Sequence, residues 1–165
     1  MSGRLGKRLP LGQLVAVLAD EASFEQVTTG VRGALDYFQR TERDGSAAHI
    51  AAERLGEALA DPSRQLYVLE DPAKGPVGML DLALNAPTPG EATLALLVLD
   101  QRRRGQGIGR EIVETLFAAL AAAGFERVRL GVAPGETQAA HFWSAVGMWP
   151  CGEDRGVKLF ERPLR

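Results

Sequence analysis

Gly105, Gly107 and Gly109 stand among Arg102, Arg103, Arg104 and Arg110, at the point where the apolar run ending at Leu99 gives way to Ile108, Ile112 and Leu116 at helical spacing. Glycines at a strand-to-helix turn let the backbone bend sharply and approach a ligand closely. The helix that follows offers unpaired amides and the positive end of its dipole. With four arginines around them, Gly105 to Arg110 form a candidate site for a phosphate-bearing anion.

The rest of the chain narrows what that anion is. Net charge is −2, so the arginine cluster is a local feature of a slightly acidic molecule, which speaks against nucleic acid as the partner. Cys151 is the sole cysteine, which leaves no internal disulfide and no cysteine-based metal site, and points to a reducing cytoplasm. No metal is expected. The segment around Leu9 to Leu18 is interrupted by Pro10, Gly12 and Gln13, so it reads as a disordered tip leading to a first strand rather than as a signal peptide. No run approaches the roughly 18 apolar residues of a membrane span. At 165 residues, with 45% hydrophobic and 24% charged, residues 1–165 fit one soluble globular domain.

The elements that position the turn follow from periodicity. Leu14 to Leu18 reads as the first strand. Ser23 and Gln26 form a capping-box pattern ahead of one helix carrying Phe24, Val27, Val31, Leu35 and Phe38 on its apolar face. A polar break from Thr41 to Gly45 precedes a second helix, Ala47 to Ala60, stopped by Asp61 and Pro62. Three strands then start near Leu66, Val77 and Ala92, with proline and glycine turns between them, giving an antiparallel meander. The third is apolar on both parities and is expected to be central, with both faces covered. Asp81 shares a face with Val77, Met79 and Ala83, a place for a carboxylate that is paired or lines a cavity. A helix from Ile108 to about Ala123, a strand over Val128 to Val132, a helix over about Gln138 to Val146 and a last strand from Gly156 to Arg162 complete the order. The strand–helix–strand unit implies a parallel pair.

Two familiar phosphate loops fail on spacing. No lysine occupies the turn, as a P-loop requires, and Arg110 stands where a dinucleotide fingerprint has its third glycine. What remains, Arg104-x-x-Gly107-x-Gly109, resembles the acyl-CoA pyrophosphate motif of the GNAT superfamily of N-acetyltransferases. The order of elements is similar to that family's over nearly the whole chain. Residues 139–148 resemble its second motif, with Trp143 in the place of a tyrosine.

The resemblance implies an α+β fold with a mixed, mostly antiparallel sheet of six to seven strands flanked by about four helices. It implies acetyl-CoA as acyl donor and a primary amine as acceptor, joined by direct attack. Amides of Gly105, Gln106, Gly107, Ile108, Gly109 and Arg110 would hold the pyrophosphate, with Arg104 close by. Main-chain groups of Leu97, Val98 and Leu99 would pair with the pantetheine arm as an added strand, and Trp143 would flank it. One of those amides would also stabilise the oxyanion.

The proton acceptor is expected at Glu91 or Asp81; the family's glutamate position falls near Thr93, and Glu91 shares its parity. Trp143 lacks the hydroxyl that serves family members as acid, and a thiolate leaves without full protonation. His141 steps off the Trp143 face and reads as a surface residue, and His49 has no partner in sequence. The first two helices, with Tyr37, Phe38 and Arg40, and the 150s loop would shape the acceptor site. The family likeness also allows a homodimer, a longer acyl donor, or a catalytically inactive CoA-binding sensor.

Overall fold

The structure is a computed structural model and describes residues 3–41 and 45–164. Positions 42–44 of the expected polar break, and Met1 and Ser2 of the expected tip, lie outside the described residues. The described residues form strands β1 (Arg8–Leu11), β2 (Leu14–Leu18), β3 (Arg64–Asp71), β4 (Gly75–Leu84), β5 (Glu91–Leu99), β6 (Arg127–Val132), β7 (Trp149–Asp154) and β8 (Val157–Pro163). The helices are α1 (Phe24–Gly33), α2 (Leu35–Thr41), α3 (Ala47–Ala60), α4 (Ile108–Ala122) and α5 (Thr137–Ala145). Eight strands and five helices replace the expected six to seven and about four. The strands form one sheet in the order β1-β2-β3-β4-β5-β6-β8-β7, antiparallel except for the β5–β6 pair.

The additional elements have physical reasons. β1 contains Pro10, which suits an edge strand because no ladder bond is asked of its nitrogen on the open side. The segment before it is no loose tip. Leu5 is buried, its amide donates to Gln65 Oε1 at 3.0 Å, and Tyr67 Oη donates to the Gly6 carbonyl at 2.7 Å. β7 is exposed at every position, so it carries no apolar alternation to reveal it.

The first helix is two. α1 ends at Gly33, and Ala34, whose amide donates to Val31 O, starts the turn into α2. Glycines on its buried side bring α1 against the sheet: a Cβ on Gly30 would lie 2.8 Å from Met79 Cγ, and one on Gly33 would lie 2.5 Å from an Asp100 carboxylate oxygen. The expected capping box does not form. The Ser23 hydroxyl instead bonds Asp20, accepting from its amide at 2.9 Å and donating to its carboxylate at 3.2 Å.

Two cores cover the two faces of the sheet. One is built on Ile112, Leu116 and Leu120 of α4, the other on Val27, Val31 and Phe38 of α1 and α2 with Ile50 and Leu55 of α3. β5 serves both through a bulge: Leu94 pairs with Leu82 and Leu96 with Asp81, leaving Ala95 as the extra residue. Ala92 and Leu94 therefore point into the α4 core, and Leu96 and Val98 into the α1/α3 core. These four share one parity, and the bulge turns them to opposite faces; of the other parity, Leu97 and Leu99 pack part-buried against the α4 core and Ala95 is exposed.

Tyr67 ties the N-terminal segment to the sheet, and burial pushes its phenol up to about 12. An unfolded tyrosine ionises near pH 10, so between about pH 10 and 12 the folded state keeps a proton that the unfolded state has lost, and stability falls as pH rises. Tyr67→Phe should cost about 1–3 kcal/mol at neutral pH through the unpaired Gly6 carbonyl and Gln65 amide. Urea unfolding should show the wild-type advantage shrinking above about pH 10.

Candidate active site

β5 and β6 run together for three residue pairs only, Glu91 with Arg127, Ala92 with Val128 and Thr93 with Arg129. Beyond Thr93 they part. The edge of β5 over Leu97, Val98 and Leu99 then borders an open cleft of about 800 Å³, whose floor continues into the glycine turn and whose far wall is α5. A smaller cavity of about 60 Å³ lies at the inner end, beside the Ala95 bulge. Leu97, Tyr37, Glu136, Ala139 and Trp143 border both spaces.

At the mouth of the cleft the chain leaves β5 through Asp100, whose carboxylate accepts from the Arg102 amide at 2.9 Å and caps a single 3-10 turn, Gln101–Arg103. Gly105 and Gly107 follow in the left-handed region, at φ 74° and 79°. No atom lies within 4 Å of where a Cβ would sit on either, so conformation rather than crowding demands glycine here. Gly109 differs: a Cβ there would stand 3.4 Å from the Phe142 ring, so its smallness lets α4 approach α5. Glu111 is the first residue of α4 whose amide bonds back, to the Gly107 carbonyl at 3.2 Å. Among the described residues, the amides of Gly105 through Arg110 have no acceptor within the chain, as a helix start leaves them. Gln106 pins the turn by donating to the Arg102 carbonyl at 3.2 Å, and Ile108 sends its side chain into the core.

Each of the four arginines is engaged by a carboxylate or carbonyl of the chain. Arg102 grips Asp100, at 3.1 and 3.0 Å, and Arg103 reaches Asp71 at 2.7 Å; these guanidiniums hold both carboxyls below their ordinary range. Arg110 donates to the Ala145 carbonyl at 2.6 Å. Arg104 makes a two-pronged bond to Asp36 of α2, at 2.7 and 3.0 Å, and also donates to the Leu99 carbonyl at 3.1 Å. One carbonyl of the expected pairing edge is thus already engaged.

Asp36 also accepts from Arg40 at 3.2 Å, and Arg40 bonds both carboxylate oxygens of Glu136, at 3.3 and 3.1 Å. The result is an ionic chain, Arg104 to Asp36 to Arg40 to Glu136, laid by α2 across the cleft from the glycine turn to the start of α5. The Arg104 guanidinium, helped by Arg40, holds the Asp36 carboxyl down at about 2 despite some burial.

The other sequence candidates lie apart. Asp81 is fully buried and clamped by both prongs of Arg64, with Arg54 3.9 Å away; it faces α3 and does not border the cleft. Glu91 sits at the closed end of the β5–β6 pair, accepting from Thr88 Oγ1 at 2.8 Å with Arg129 3.8 Å off, and it does not border the cleft either. Trp143 does: it is buried, with the Phe142 ring edge-on at 4.9 Å, where the two cavities meet. Of the aromatic pair proposed for the acceptor side, Tyr37 borders the cleft and Phe38 is buried in the core. His141 is exposed, and His49 pairs with Glu53 on the surface of α3.

Asp36 and Glu136 were not among the sequence candidates. The Asp36/Arg40 spacing of four residues is a visible helix pair, but their partners lie 68 and 96 residues away in sequence.

A family model described as Acetyltransferase (GNAT) family matches residues 31–148. No curated protein matches the chain in sequence. Among solved structures, an acetyltransferase from Thermus thermophilus superposes with a TM-score of 0.83 at 23% identity, covering 93% of this chain and 98% of that one. A spermidine N-acetyltransferase from Vibrio cholerae, in complex with CoA and spermine, gives 0.69 at 16% identity, with 92% and 96% covered. A ribosomal L7/L12 alpha-N-protein acetyltransferase in complex with CoA gives 0.75 at 16% identity, with 94% and 97% covered. At these identities the likeness is one of fold.

Two outcomes test this geometry. Asp36 stabilises the fold above about pH 4, and its contribution is lost as pH falls toward about 2; Asp36→Asn should make the acid loss of stability in urea unfolding shallower, the remainder belonging to Asp71 and Asp100, which are also held low. Asp81→Ala leaves Arg64 without its buried partner and should cost about 3–5 kcal/mol, with ligand binding per folded molecule unchanged. A stable Asp81 variant that has lost binding would contradict the placement.

Proposed function

The chain belongs to the acetyltransferase (GNAT) family, and from that premise we propose that it transfers an acetyl group from acetyl-CoA to a primary amine of a small molecule or peptide by direct attack. The single observation that carries this reading is the unpaired edge of β5 running straight into a turn of unpaired amides. A strand edge pairs with the amides of an extended arm, and a helix start preceded by two left-handed glycines receives a diphosphate. A ligand carrying both in series is CoA.

The residues present fit that donor. Amides of Gly105, Gln106, Gly107, Ile108, Gly109 and Arg110 would take the diphosphate, with the Arg110 side chain beside them. Open space above Gly105 and Gly107 leaves their backbone accessible. Leu97 and Val98 would offer main-chain groups to the arm, while Leu99 would do so after Arg104 releases its carbonyl. Trp143 would pack against the end of the arm. Bound there, the donor supplies an acyl group activated as a thioester.

The inner cavity is small, about 60 Å³, which favours a two-carbon acyl group over a long one. An amide on the β5 edge near the bulge would stabilise the oxyanion that forms as the amine attacks. The solved structures of similar fold act on spermidine and on a ribosomal protein's α-amine, so both chemistries belong among the acceptors to be tried. No described helix is long and apolar enough to cross a membrane, and Cys151 is exposed as a free thiol; we place the reaction in the cytoplasm.

Gly107→Val puts a β-branched residue at a positive φ, at a conformational cost of about 1–3 kcal/mol, and should weaken acetyl-CoA binding at least tenfold in calorimetry. Unchanged affinity in a folded variant would remove the basis of the reading. Thiol release from acetyl-CoA with spermidine, a tripeptide, kanamycin and tyramine should exceed hydrolysis for at least one amine. A tight complex that releases no thiol with any of them would favour a binding module.

A further inference from the structure

Neither Glu91 nor Asp81 borders the cleft, so the proton of an attacking amine needs another acceptor. Among the described residues, Glu136 is the carboxylate that lines the inner cavity, and it lines the main cleft as well. From Leu99 to Ala95 the free edge of β5 runs ~13 Å toward this cavity, so an extended arm paired along it would bring the reacting end of a donor seated on the turn there.

The way Glu136 is held points to use in the cleft. It stands at the N-cap of α5, and its side chain makes no bond to the amides of that helix. It turns instead to Arg40, which binds both oxygens and fixes the carboxylate with only 16% of the side chain exposed. Each oxygen keeps a second lone pair for another donor. The groups that face it are Arg40 and, on the same wall of the cavity, Tyr37, with Asp36 on the far side of Arg40.

We infer that Glu136 binds the ammonium group of the acceptor at the inner cavity and takes the proton that the amine must lose; this rests on the acetyltransferase reading above. The reaction balances: the ammonium gives one proton to the Glu136 carboxylate, and the freed amine nitrogen bonds the acyl carbon as the carbon–sulfur bond breaks. Sulfur leaves with its bonding pair and takes, through water, the second proton that the nitrogen sheds. Arg40 is a positioning residue that keeps the carboxylate aimed between the strands.

The test compares wild type, Glu136→Gln and Glu136→Asp, each checked for a native melting curve. Acetyl-CoA affinity by calorimetry should stay within about threefold in both variants, since the diphosphate site is untouched. Titration of the active panel amine into the CoA complex should show Glu136→Gln weakening it about tenfold or more, the loss of a charge-assisted contact. Turnover of that amine should fall by about 10²–10⁴ in Glu136→Gln and recover in part in Glu136→Asp. Full turnover and unchanged amine affinity in Glu136→Gln would overturn the inference and leave the acetyltransferase reading standing. A wild type that binds acetyl-CoA and acetylates no panel amine would defeat both.

Discussion

The parting of β5 from β6 after Thr93 governs the rest of this molecule. Two parallel strands that begin as partners leave each other within three residue pairs, and the main-chain groups they would have exchanged face a cleft instead of a neighbour. A strand edge inside a covered sheet is unusual, because each unpaired amide or carbonyl forfeits about 1–3 kcal/mol unless water or a ligand meets it. The bulge at Ala95 belongs to the same event: it rotates β5 so that residues beyond it serve the α1/α3 core, and it stands where the gap opens. α4 and the glycine turn start at the wide end of the gap, so a single opening carries both an open strand edge and a turn of unpaired amides.

Helix α2 joins the two sides of that opening. The break at Ala34 redirects the chain so that Asp36 and Arg40 lie over the cleft, and their partners belong to the turn after β5 on one side and to the start of α5 on the other. Individually these pairs are partly exposed and each contributes little to stability. Their effect is on arrangement. Arg104 is held against Asp36 and Leu99, Arg40 is shared by two carboxylates, and Glu136 is fixed where it lines the cavity. An anion arriving at the turn meets Arg104 already satisfied, so positive charge at the site comes first from amides and only then from side chains.

Much of this was legible in the residues. α3 has the bounds read from its periodicity and from Asp61 and Pro62; the inner face of α4 is the one marked by Ile108, Ile112, Val113, Leu116, Phe117 and Leu120. These are local signals, in which period and terminator agree. The turn was legible because glycine at a positive φ leaves a mark in composition. What stayed hidden was settled by distant neighbours. β1 carries a proline that only an edge position tolerates, and β7 lies outside the cores and has no alternation. Asp81 looked available because Arg64 joins it from another strand. Glu136 looked like an ordinary helix start, since nothing near it in sequence announces Arg40.

In the function proposed above, the amides of Gly105 to Arg110 and the edge of β5 at Leu97 to Leu99 together receive one ligand. Titrating CoA into 15N-labelled protein and following backbone amide resonances tests it without any substitution. Saturable shifts are expected at both segments with a common midpoint, with little movement in α3 or the β1–β2 hairpin. Binding of CoA that leaves the resonances of Gly105 to Arg110 and of Leu97 to Leu99 in place would contradict it.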